Sequence, residues 1–368
     1  MKEGWKYVKL GDIASVVHGK NQKAVESEEG QYPIYGSGGS IMGYATEYLC
    51  DEGTTILGRK GTINNPLFIE TKFWNVDTAF GISAKSTCNK KFLYYFVKSQ
   101  DWSKKNSGTT LPSLTQSVVL DTQMPFCDIS EQKQIVDFLD AEFAKIDELK
   151  KQAEQSLQNA KDLFQAALKE MLTPKEGWAK KTLKECTTSI GDGLHGTPKY
   201  VSESSYYFVN GNNLENGSIV IKSDTKRVSV EEYIKYKIEL DSTTVLLSIN
   251  GTIGKTAFFN GETIILGKSA CYMNVCPDLR KEFLRYYLQS DYFFEYANQN
   301  SRQATIKNLG LKEIRAMMIP LPSLDEQKRI IEILDDLSQK TNALQSNYTR
   351  TIQLCADLKQ ALLRQVFE

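Results

Sequence analysis

Three kinds of short motif in this sequence contain residue types that could carry out chemistry. Glu131-Gln132-Lys133 and Glu326-Gln327-Lys328 have the Glu-x-Lys spacing of metal-dependent nucleases. Asn64-Asn65-Pro66-Leu67 partly matches the Asn-Pro-Pro-aromatic motif of adenine methyltransferases. Gly36-Ser37-Gly38-Gly39 is a glycine-rich turn, a feature that also occurs in nucleotide-binding loops.

Each motif lacks the context that its chemistry requires. The methyltransferase motif is missing its second proline and its aromatic residue, and the glycine-rich turn does not have the spacing of a dinucleotide-binding loop. The two Glu-Gln-Lys motifs lie at predicted helix starts, where the helix dipole favours acidic side chains. We therefore interpret all three as structural features.

The histidines and cysteines offer little material for a metal centre or a nucleophile. Only His18 and His195 occur, each beside a glycine, and we interpret both as loop residues. The seven cysteines include no CxxC pair, so neither a zinc site nor a disulfide framework is indicated. These counts favour a protein without a catalytic centre of its own.

The composition is that of an ordinary globular chain. Of the 368 residues, 41% are hydrophobic and 24% charged, enough for two domains that each bury a core. No apolar run reaches the roughly 18–20 residues that cross a bilayer, and the N-terminal residues lack the apolar core of a signal peptide. We therefore expect a cytoplasmic protein with no membrane partner. The formal net charge of +0 neither favours nor excludes nucleic acid.

One long internal repeat runs through the sequence, with its motifs in the same order in both copies. The matched motifs are Glu3-Gly4-Trp5 with Glu176-Gly177-Trp178, Thr54–Leu57 with Thr243–Leu246, Gly61-Thr62-Ile63 with Gly251-Thr252-Ile253, Phe92–Phe96 with Phe283–Leu288, Glu131–Val136 with Glu326–Ile331, and Leu163–Leu168 with Leu358–Leu363. A repeat of this length indicates a duplicated domain, since solenoid repeats are only about 20–50 residues long.

Each copy divides into a mixed domain and a long helix. Residues 1–129 and 176–323 contain short β-branched runs between Gly, Asn and Pro, and aromatic-rich helices are predicted over Phe92–Ser99 and Phe283–Ser290. The predicted strands include Thr54–Leu57, Val76–Ile82, Thr244–Ile249 and Thr263–Leu266. We expect two compact α+β domains, with residues 130–175 and 324–368 as helical segments.

The helical segments carry the apolar pattern of a coiled coil, with alternating steps of three and four residues. The predicted seam includes Ile135, Leu139, Ile146, Leu149, Ile330, Leu334, Leu337 and Leu344, with Thr341, Tyr348 and Cys355 as weaker members. If each helix packed only on its own domain, much of a stripe about 65 Å long would stay uncovered. We expect the helices to pair antiparallel, with one domain at each end and an approximate twofold axis.

The candidate binding residues lie in loops at matched positions of the two domains. Hydroxyl groups and glycine N–H groups suit phosphates, whereas Asn, Gln and Arg can bond two atoms of one base edge. In the first domain the candidates are Lys20, Ser37, Gly38, Arg59, Lys60, Thr62, Thr109 and Thr110. In the second they are Lys199, Asn210, Asn212, Asn213, Asn250, Thr252, Lys255, Arg302, Gln303 and Thr305. Because the loops recur, we expect a shared role in DNA binding.

Several of these motifs together resemble a known family. Pro-x5-Glu-Gln-x2-Ile-x3-Leu-Asp, which runs from Pro125 to Asp140 and again from Pro320 to Asp335, is similar to the entry to the conserved helices of type I restriction–modification specificity subunits. The segments that open with Trp5 and Trp178 resemble the start of that family's target recognition domains, and the two Gly-Thr-Ile motifs resemble its Gly-Thr-Ile-Gly signature. The first copy departs from that signature at Asn64.

The resemblance covers the full chain and carries specific implications. It implies that each recognition domain reads one half of a split, asymmetric site in double-stranded DNA, and that the helices set the spacer. It also implies two modification subunits docked around the helices, with restriction subunits joining them. S-adenosylmethionine, ATP and magnesium would then be bound by those partners, and this chain would hold no cofactor and no metal.

Two other classes of function stay open at this point. A methyltransferase or nuclease acting alone would need cofactor and catalytic motifs that the sequence does not offer, and methylation by the purified chain would revive it. A coiled-coil adaptor that binds only proteins would fail to retain DNA, whereas a DNA-reading complex would retain it in a salt-sensitive and sequence-dependent way.

Overall fold

The computed structural model describes residues 4–301 and 307–368. From Lys6 to Leu172 the chain forms β1 (Lys6–Lys9), α1 (Leu10–Ile13), β2 (Ala14–His18), β3 (Tyr32–Tyr35), β4 (Ile41–Ala45), β5 (Thr54–Gly58), β6 (Leu67–Ile69), β7 (Trp74–Asn75), β8 (Ala79–Ala84), α2 (Lys90–Ser99), α3 (Gln116–Leu120), β9 (Gln123–Phe126) and α4 (Ile129–Leu172). From Ala179 to Phe367 it forms β10 (Ala179–Thr182), β11 (Thr187–Asp192), β12 (Tyr200–Val201), β13 (Tyr206–Val209), β14 (Leu214–Glu215), β15 (Ser218–Ile219), β16 (Arg227–Val228), α5 (Val230–Tyr236), β17 (Thr244–Ser248), β18 (Thr256–Phe258), β19 (Ile264–Leu266), β20 (Ala270–Val275), α6 (Lys281–Tyr287), α7 (Asp291–Asn300), α8 (Leu311–Ala316), β21 (Met318–Leu321) and α9 (Leu324–Phe367).

The chain divides into two compact units. The first unit contains Met1–Glu154 and Thr349–Glu368, and the second contains Gln155–Tyr348. Both long helices are therefore shared between the units, whereas the segments predicted from the sequence keep each helix whole. Those four predicted segments stay a prediction. Among residues 4–301 and 307–368, no helix combines the length and the hydropathy of a membrane span.

In the first unit an antiparallel sheet carries the core. Its strand order is β2-β8-β5-β6, and every residue of the central strand β5 is buried. A smaller sheet has the order β4-β3-β7, and β1 pairs with β9. Helix α2 covers the larger sheet with Phe92 and Phe96, each at most 1% exposed. The predicted strand over Val76–Ile82 begins later, at Ala79, because Val76 and Thr78 form a turn that bonds back to Tyr35 and Arg59.

The second unit repeats this plan and enlarges one part of it. The equivalent sheet has the order β11-β20-β17-β18, and β10 pairs with β21 as β1 pairs with β9. The smaller sheet here has four strands in the order β12-β16-β13-β19, and the short pair β14–β15 is added. The two copies thus share the larger sheet and differ most in the smaller one.

Equivalent backbone contacts confirm the internal repeat. The amide of Leu10 donates to the carbonyl of Thr122 (2.9 Å), and the amide of Leu183 donates to the carbonyl of Met317 (2.8 Å). β1 and β9 pair antiparallel over four residues, as do β10 and β21. The two copies of the repeat therefore share backbone structure as well as sequence motifs.

The two long helices run antiparallel within each unit, as predicted. Both contain 44 residues. In the first unit Lys359 of α9 pairs with Asp147 of α4 (2.5 Å). Phe367, at the end of α9, packs on Phe92, which packs on Trp5. The indole of Trp5 donates to Glu131, so the end of α9 lies near the start of α4.

In the second unit α4 and α9 are also antiparallel. Lys175, just after α4, lies 3.7 Å from Glu326 in the first turn of α9. Earlier in α4, Phe164 and Gln165 line one cavity together with Ser338 and Asn342, which lie further along α9. The end of α4 therefore meets the start of α9.

The buried residues of the long helices follow the predicted seam near the helix starts and depart from it near the helix centres. Leu139, Ile146, Ile330 and Leu334 are buried, and Ile135 and Leu337 are partly buried. Leu149 and Leu344, however, are 49% and 41% exposed. The buried line there follows heptad steps through Ala153 and Ala160 on α4 and through Thr341 and Cys355 on α9, the last two of which were predicted as weaker members of the seam. Near the helix centres the buried stripe therefore narrows to one line, and Leu149 and Leu344 lie outside it.

Candidate nucleic-acid interface

Hydrogen bonds bring the predicted loops of the first unit together. The first unit's Gly-Thr loop, residues 58–63, follows the buried strand β5. Gly61, at φ +81°, donates its amide to the carbonyl of Pro112 (2.9 Å), and the amide of Leu114 donates to the carbonyl of Arg59 (2.9 Å). The side-chain amide of Asn65 donates to the carbonyl of Gly38 (3.4 Å). The structure thus brings Ser37, Gly38, Arg59, Lys60 and Thr62 into one neighbourhood.

Asn106 shapes the loop that carries Thr109 and Thr110. Its side-chain oxygen accepts from the amides of Gly108 and Ser113, both at 2.8 Å. Thr109 and Thr110 are exposed at the tip of this loop, beside the Gly-Thr loop. Asn106 was missed by sequence reasoning, although an asparagine two residues before a glycine is a recognised turn signal.

Arg59 and His18 flank this neighbourhood around Phe80. The Arg59 guanidinium lies 5.9 Å from the Phe80 ring and donates to the carbonyl of Asp77 (3.2 Å). The His18 ring meets the Phe80 ring edge to face at 5.1 Å, and its Nε2 lies 2.6 Å from Oε1 of Gln116. Lys60 and Lys20 are exposed beside these anchored side chains. The Arg59 guanidinium therefore already has partners within the protein, and Lys20 and Lys60 carry exposed charges.

The second unit builds its Gly-Thr loop, residues 249–254, with the same main-chain bonds. The amide of Gly251 donates to the carbonyl of Lys307 (3.0 Å), and the amide of Leu309 donates to the carbonyl of Ile249 (2.9 Å). Asn250 bridges to Asn308 as Lys60 bridges to Ser113. Ser248 further holds the loop, because its hydroxyl donates to the carbonyl of Thr252 (2.6 Å) and accepts from the amide of Lys255 (2.8 Å).

The asparagine cluster of the second unit is partly structural, which corrects one prediction. Asn213 is 7% exposed, its Oδ1 accepts from the amide of Asn210, and its Nδ2 donates to Val220 and Thr225. These bonds use both amide hydrogens of Asn213 and one acceptor position of its oxygen, so this side chain mainly holds the loop together. Asn210 accepts from the hydroxyl of Ser269 (3.2 Å), whereas Asn212 is exposed.

A polar cavity of about 320 Å³ opens beside this cluster. Its lining is Phe208, Asn210, Asn212, Asn213, Lys222, Asp224, Thr225, Lys226 and Lys255. Lys222 is bound to Glu215 (2.5 Å), and this hydrogen bond holds the pKa of the Glu215 carboxyl below its usual range. Lys226 and Lys255 supply the remaining lysine charges of the lining. Sequence reasoning missed Lys226, although it begins the dibasic pair Lys226-Arg227.

Lys199 does not join these neighbourhoods. Lys199 is exposed just before β12, and its amide donates to Glu232 of α5 (3.0 Å), so it belongs to the smaller sheet. Arg302, Gln303 and Thr305 lie outside the described residues. Lys105, a further basic residue, is turned inward, since its Nζ donates to the hydroxyl of Thr122 (2.8 Å) and burial lowers the pKa of its amine.

The Glu-Gln-Lys motifs are built into the packing of both units. Gln132 and Gln327 are fully buried. The side-chain oxygen of Gln132 accepts from the amide of Asn89 (2.7 Å), and its Nε2 donates to the carbonyl of Cys127 (2.8 Å). Gln327 makes the equivalent bonds to Arg280 (2.8 Å) and Pro322 (3.0 Å). Within the part of the chain that the structure describes, no three His, Cys, Asp or Glu side chains group as metal ligands would.

Comparison with known families gives one match over nearly the whole chain. The model described as "Type I restriction modification DNA specificity domain" matches residues 2–159 and 162–354. The specificity subunit of the type I restriction enzyme EcoBI from Escherichia coli is 22% identical over 310 residues, covering 76% of this chain. This chain matches 65% of that relative's length. A putative type I specificity subunit from Haemophilus influenzae is 24% identical and covers 91% of this chain and 88% of its own.

Solved structures share the fold. A chain from a structure that concerns complex assembly and conformational transition of a type I R-M system superposes with a TM-score of 0.77 at 20% identity, covering 99% of this chain and 98% of that one. The HsdS subunit from Thermoanaerobacter tengcongensis gives a TM-score of 0.53 at 19% identity, covering 100% and 97%. At these identities the likeness establishes the architecture of two mixed domains and two long helices.

Proposed function

This chain belongs to the type I restriction modification DNA specificity family, and we propose that it is the DNA-reading subunit of a restriction–modification complex. Each mixed domain, here called a recognition domain, reads one half of a bipartite, asymmetric site in double-stranded DNA. The observation that carries this proposal is the pair of Gly-Thr loops, which share one main-chain framework. Because the main chain is the same and the side chains differ, the two loops can bind DNA in the same way and contact different bases.

The side chains on the two frameworks differ in their hydrogen-bonding chemistry. The first presents Lys60 where the second presents Asn250, and Ser37 and Gly38 of the first unit contrast with Asn210 and Asn212 of the second. A lysine donates to the acceptors of guanine, whereas an asparagine both donates and accepts, as adenine requires. The two half-sites should therefore differ in sequence.

Methylome sequencing of cells that express the complex tests this reading. The expected result is a methylated motif of two unlike half-sites separated by a fixed number of unspecified bases. A palindromic motif would contradict the asymmetric reading, and a continuous motif without a spacer would contradict the bipartite reading.

Exposed apolar residues on the long helices support docking of two modification subunits. Each unit carries one set of such residues, and the sets occupy equivalent positions of the repeat. In the first unit they are Phe138, Leu149 and Leu358, and in the second they are Ile333, Leu344 and Leu163, all at least 41% exposed. Large apolar side chains kept exposed at matched positions are typical of an interface. Two equivalent sets fit two copies of one partner.

Charged substitutions of the leucines test the stoichiometry. Leu149→Glu should reduce the complex to one modification subunit for each specificity subunit, and Leu149→Glu with Leu344→Glu should remove both. Gln152→Glu, an exposed position on the same helix, is the control. The mass of the purified complex from light scattering gives the ratio, and an unchanged mass for the double variant would contradict this docking surface.

The proposed chemistry lies in the partners. The chain would recognise DNA and bind no cofactor, while S-adenosylmethionine, ATP and magnesium would be held by the modification and restriction subunits. Methylation of DNA by the purified chain with S-adenosylmethionine alone would contradict this division of labour.

The helices are proposed to set the spacer. Inserting about one heptad into α4 should lengthen the spacer and leave both half-sites unchanged, since one heptad adds about 10 Å of helix. An unchanged spacer in the methylome would mean that the helix length does not set it.

A further inference from the structure

A tyrosine hydroxyl ties the recognition domain to a long helix in both units. In the first unit the hydroxyl of Tyr95, on α2, donates to Oδ1 of Asp140 on α4. In the second, the hydroxyl of Tyr286, on α6, donates to Oδ1 of Asp335 on α9. The tyrosines are 5% and 1% exposed. Each ring is therefore fixed in the core while its hydroxyl reaches the helix.

A cation accompanies each pair, although its position differs between the copies. Nζ of Lys91 lies 2.8 Å from Oδ2 of Asp140, and Nη2 of Arg285 lies 3.4 Å from Oδ1 of Asp335. Each aspartate thus accepts from a tyrosine hydroxyl and from a cation, and hydrogen bonds between charged partners are the stronger kind. Burial raises the pKa of both tyrosines, so the hydroxyls keep the protons that they donate.

The buried glutamines provide a second attachment for the same short helices. Gln132 accepts from the amide of Asn89 just before α2, and Gln327 accepts from the amide of Arg280 just before α6. Asp140 lies about 12 Å further along α4 than Gln132, at about 1.5 Å per residue, and the second unit has the same spacing. The apolar contacts of the short helix carry no directional bonds, whereas each polar attachment holds one point of it on the long helix. Two attachments fix its angle on the long helix.

We propose that the Tyr95–Asp140 and Tyr286–Asp335 pairs are positioning contacts that set the spacing between the two half-sites. The inference rests on the proposed function, because only a bipartite reader has such a spacing. Neighbouring base pairs are about 3.4 Å apart along the duplex. A pivot of the recognition domain that moves its loops by this distance would bring them opposite the next base pair. The aspartates would therefore determine which base pairs the loops contact, although they do not touch DNA themselves.

Removing the hydroxyls alone tests the proposal. Tyr95→Phe and Tyr286→Phe keep the buried rings and are examined in the whole complex by methylome sequencing. Methylation at sites whose spacer is one base pair longer or shorter should rise about tenfold relative to the wild-type spacing, as expected for the loss of one charge-assisted hydrogen bond. Both half-sites should stay the same. Asp140→Asn, which keeps an acceptor oxygen, should retain the original spacing.

Matched controls come from the neighbouring tyrosines. Tyr94→Phe and Tyr287→Phe remove hydroxyls that bond to Lys98 and to the carbonyl of Met318, not to the aspartates. Relaxed spacing in the controls, unchanged spacing in the test variants, or an equal loss of methylation at every spacing would overturn the proposal. A wild-type methylome without any bipartite motif would instead overturn the proposed function itself.

Discussion

Replacing Gln132 by alanine should destabilise the first unit far more than the same replacement of an exposed glutamine on the same helix. Gln132 is fully buried, and its side chain bonds to the amide of Asn89 and the carbonyl of Cys127. An unpaired buried donor costs about 1–3 kcal/mol. The cavity left by the missing side-chain atoms adds a cost of about 2 kcal/mol, at the low end for large-to-small changes in a core. We expect a total loss of about 3–5 kcal/mol.

Urea unfolding followed by tryptophan fluorescence measures this loss. Trp5, Trp74 and Trp102 belong to the first unit and Trp178 to the second, so the signal reports mainly on the first unit. Gln132→Met separates the two contributions, since it fills the space and removes only the hydrogen bonds. It should cost about 1–3 kcal/mol.

Gln134→Ala is the matched control, because Gln134 is exposed on the same helix. It should change the free energy of unfolding by less than about 0.5 kcal/mol. If Gln132→Met were as stable as the unaltered chain, the hydrogen bonds of Gln132 would contribute nothing. If Gln134→Ala were as unstable as Gln132→Ala, the burial argument would be refuted.

Three further outcomes are expected. Phe367→Ala should cost the first unit about 3–5 kcal/mol in urea unfolding, because Phe367 packs on buried phenylalanines, whereas the exposed Leu358→Ala should cost little. In the native chain a reagent that modifies thiols at pH 8 should react with Cys276 first, because the other cysteines are buried. Burial also raises the pKa of Cys50 to about 12, which disfavours its reactive thiolate. Rapid reaction of a second thiol would contradict this. Lys60→Gln should lower the salt dependence of DNA binding by the complex by about one unit of slope, and an unchanged slope would remove Lys60 from the phosphate contacts.

Much of the architecture was predictable because it depends on periodicity and repetition. The ends of α4 and α9 fall within three residues of the ends of the predicted helical segments, since proline follows the first helix and no glycine interrupts either. The repeat was equally clear. Leu149 and Leu344 were misplaced because a three-and-four pattern does not tell how wide a stripe the partner helix covers.

The binding residues were harder to predict for a different reason. Asn213 has the same side chain as Asn212, and only the surrounding main chain decides that one is buried in hydrogen bonds and the other is exposed. Lys226 joins Asn212 at a cavity through the pairing of short strands that carry no strong sequence signal. Tertiary hydrogen bonding sets which polar groups stay free, and spacing along the chain does not encode it.

The division of α9 between the units has a consequence during synthesis on the ribosome. Leu363 and Phe367 seal the same core as Phe92 and Phe96, which leave the ribosome far earlier. At about 5–20 residues per second, the first unit waits on the order of tens of seconds for its missing wall. During that interval the apolar face around Phe92 and Phe96 is exposed, and chaperones and proteases can bind it. A chain that lacks these final turns would keep this apolar face uncovered.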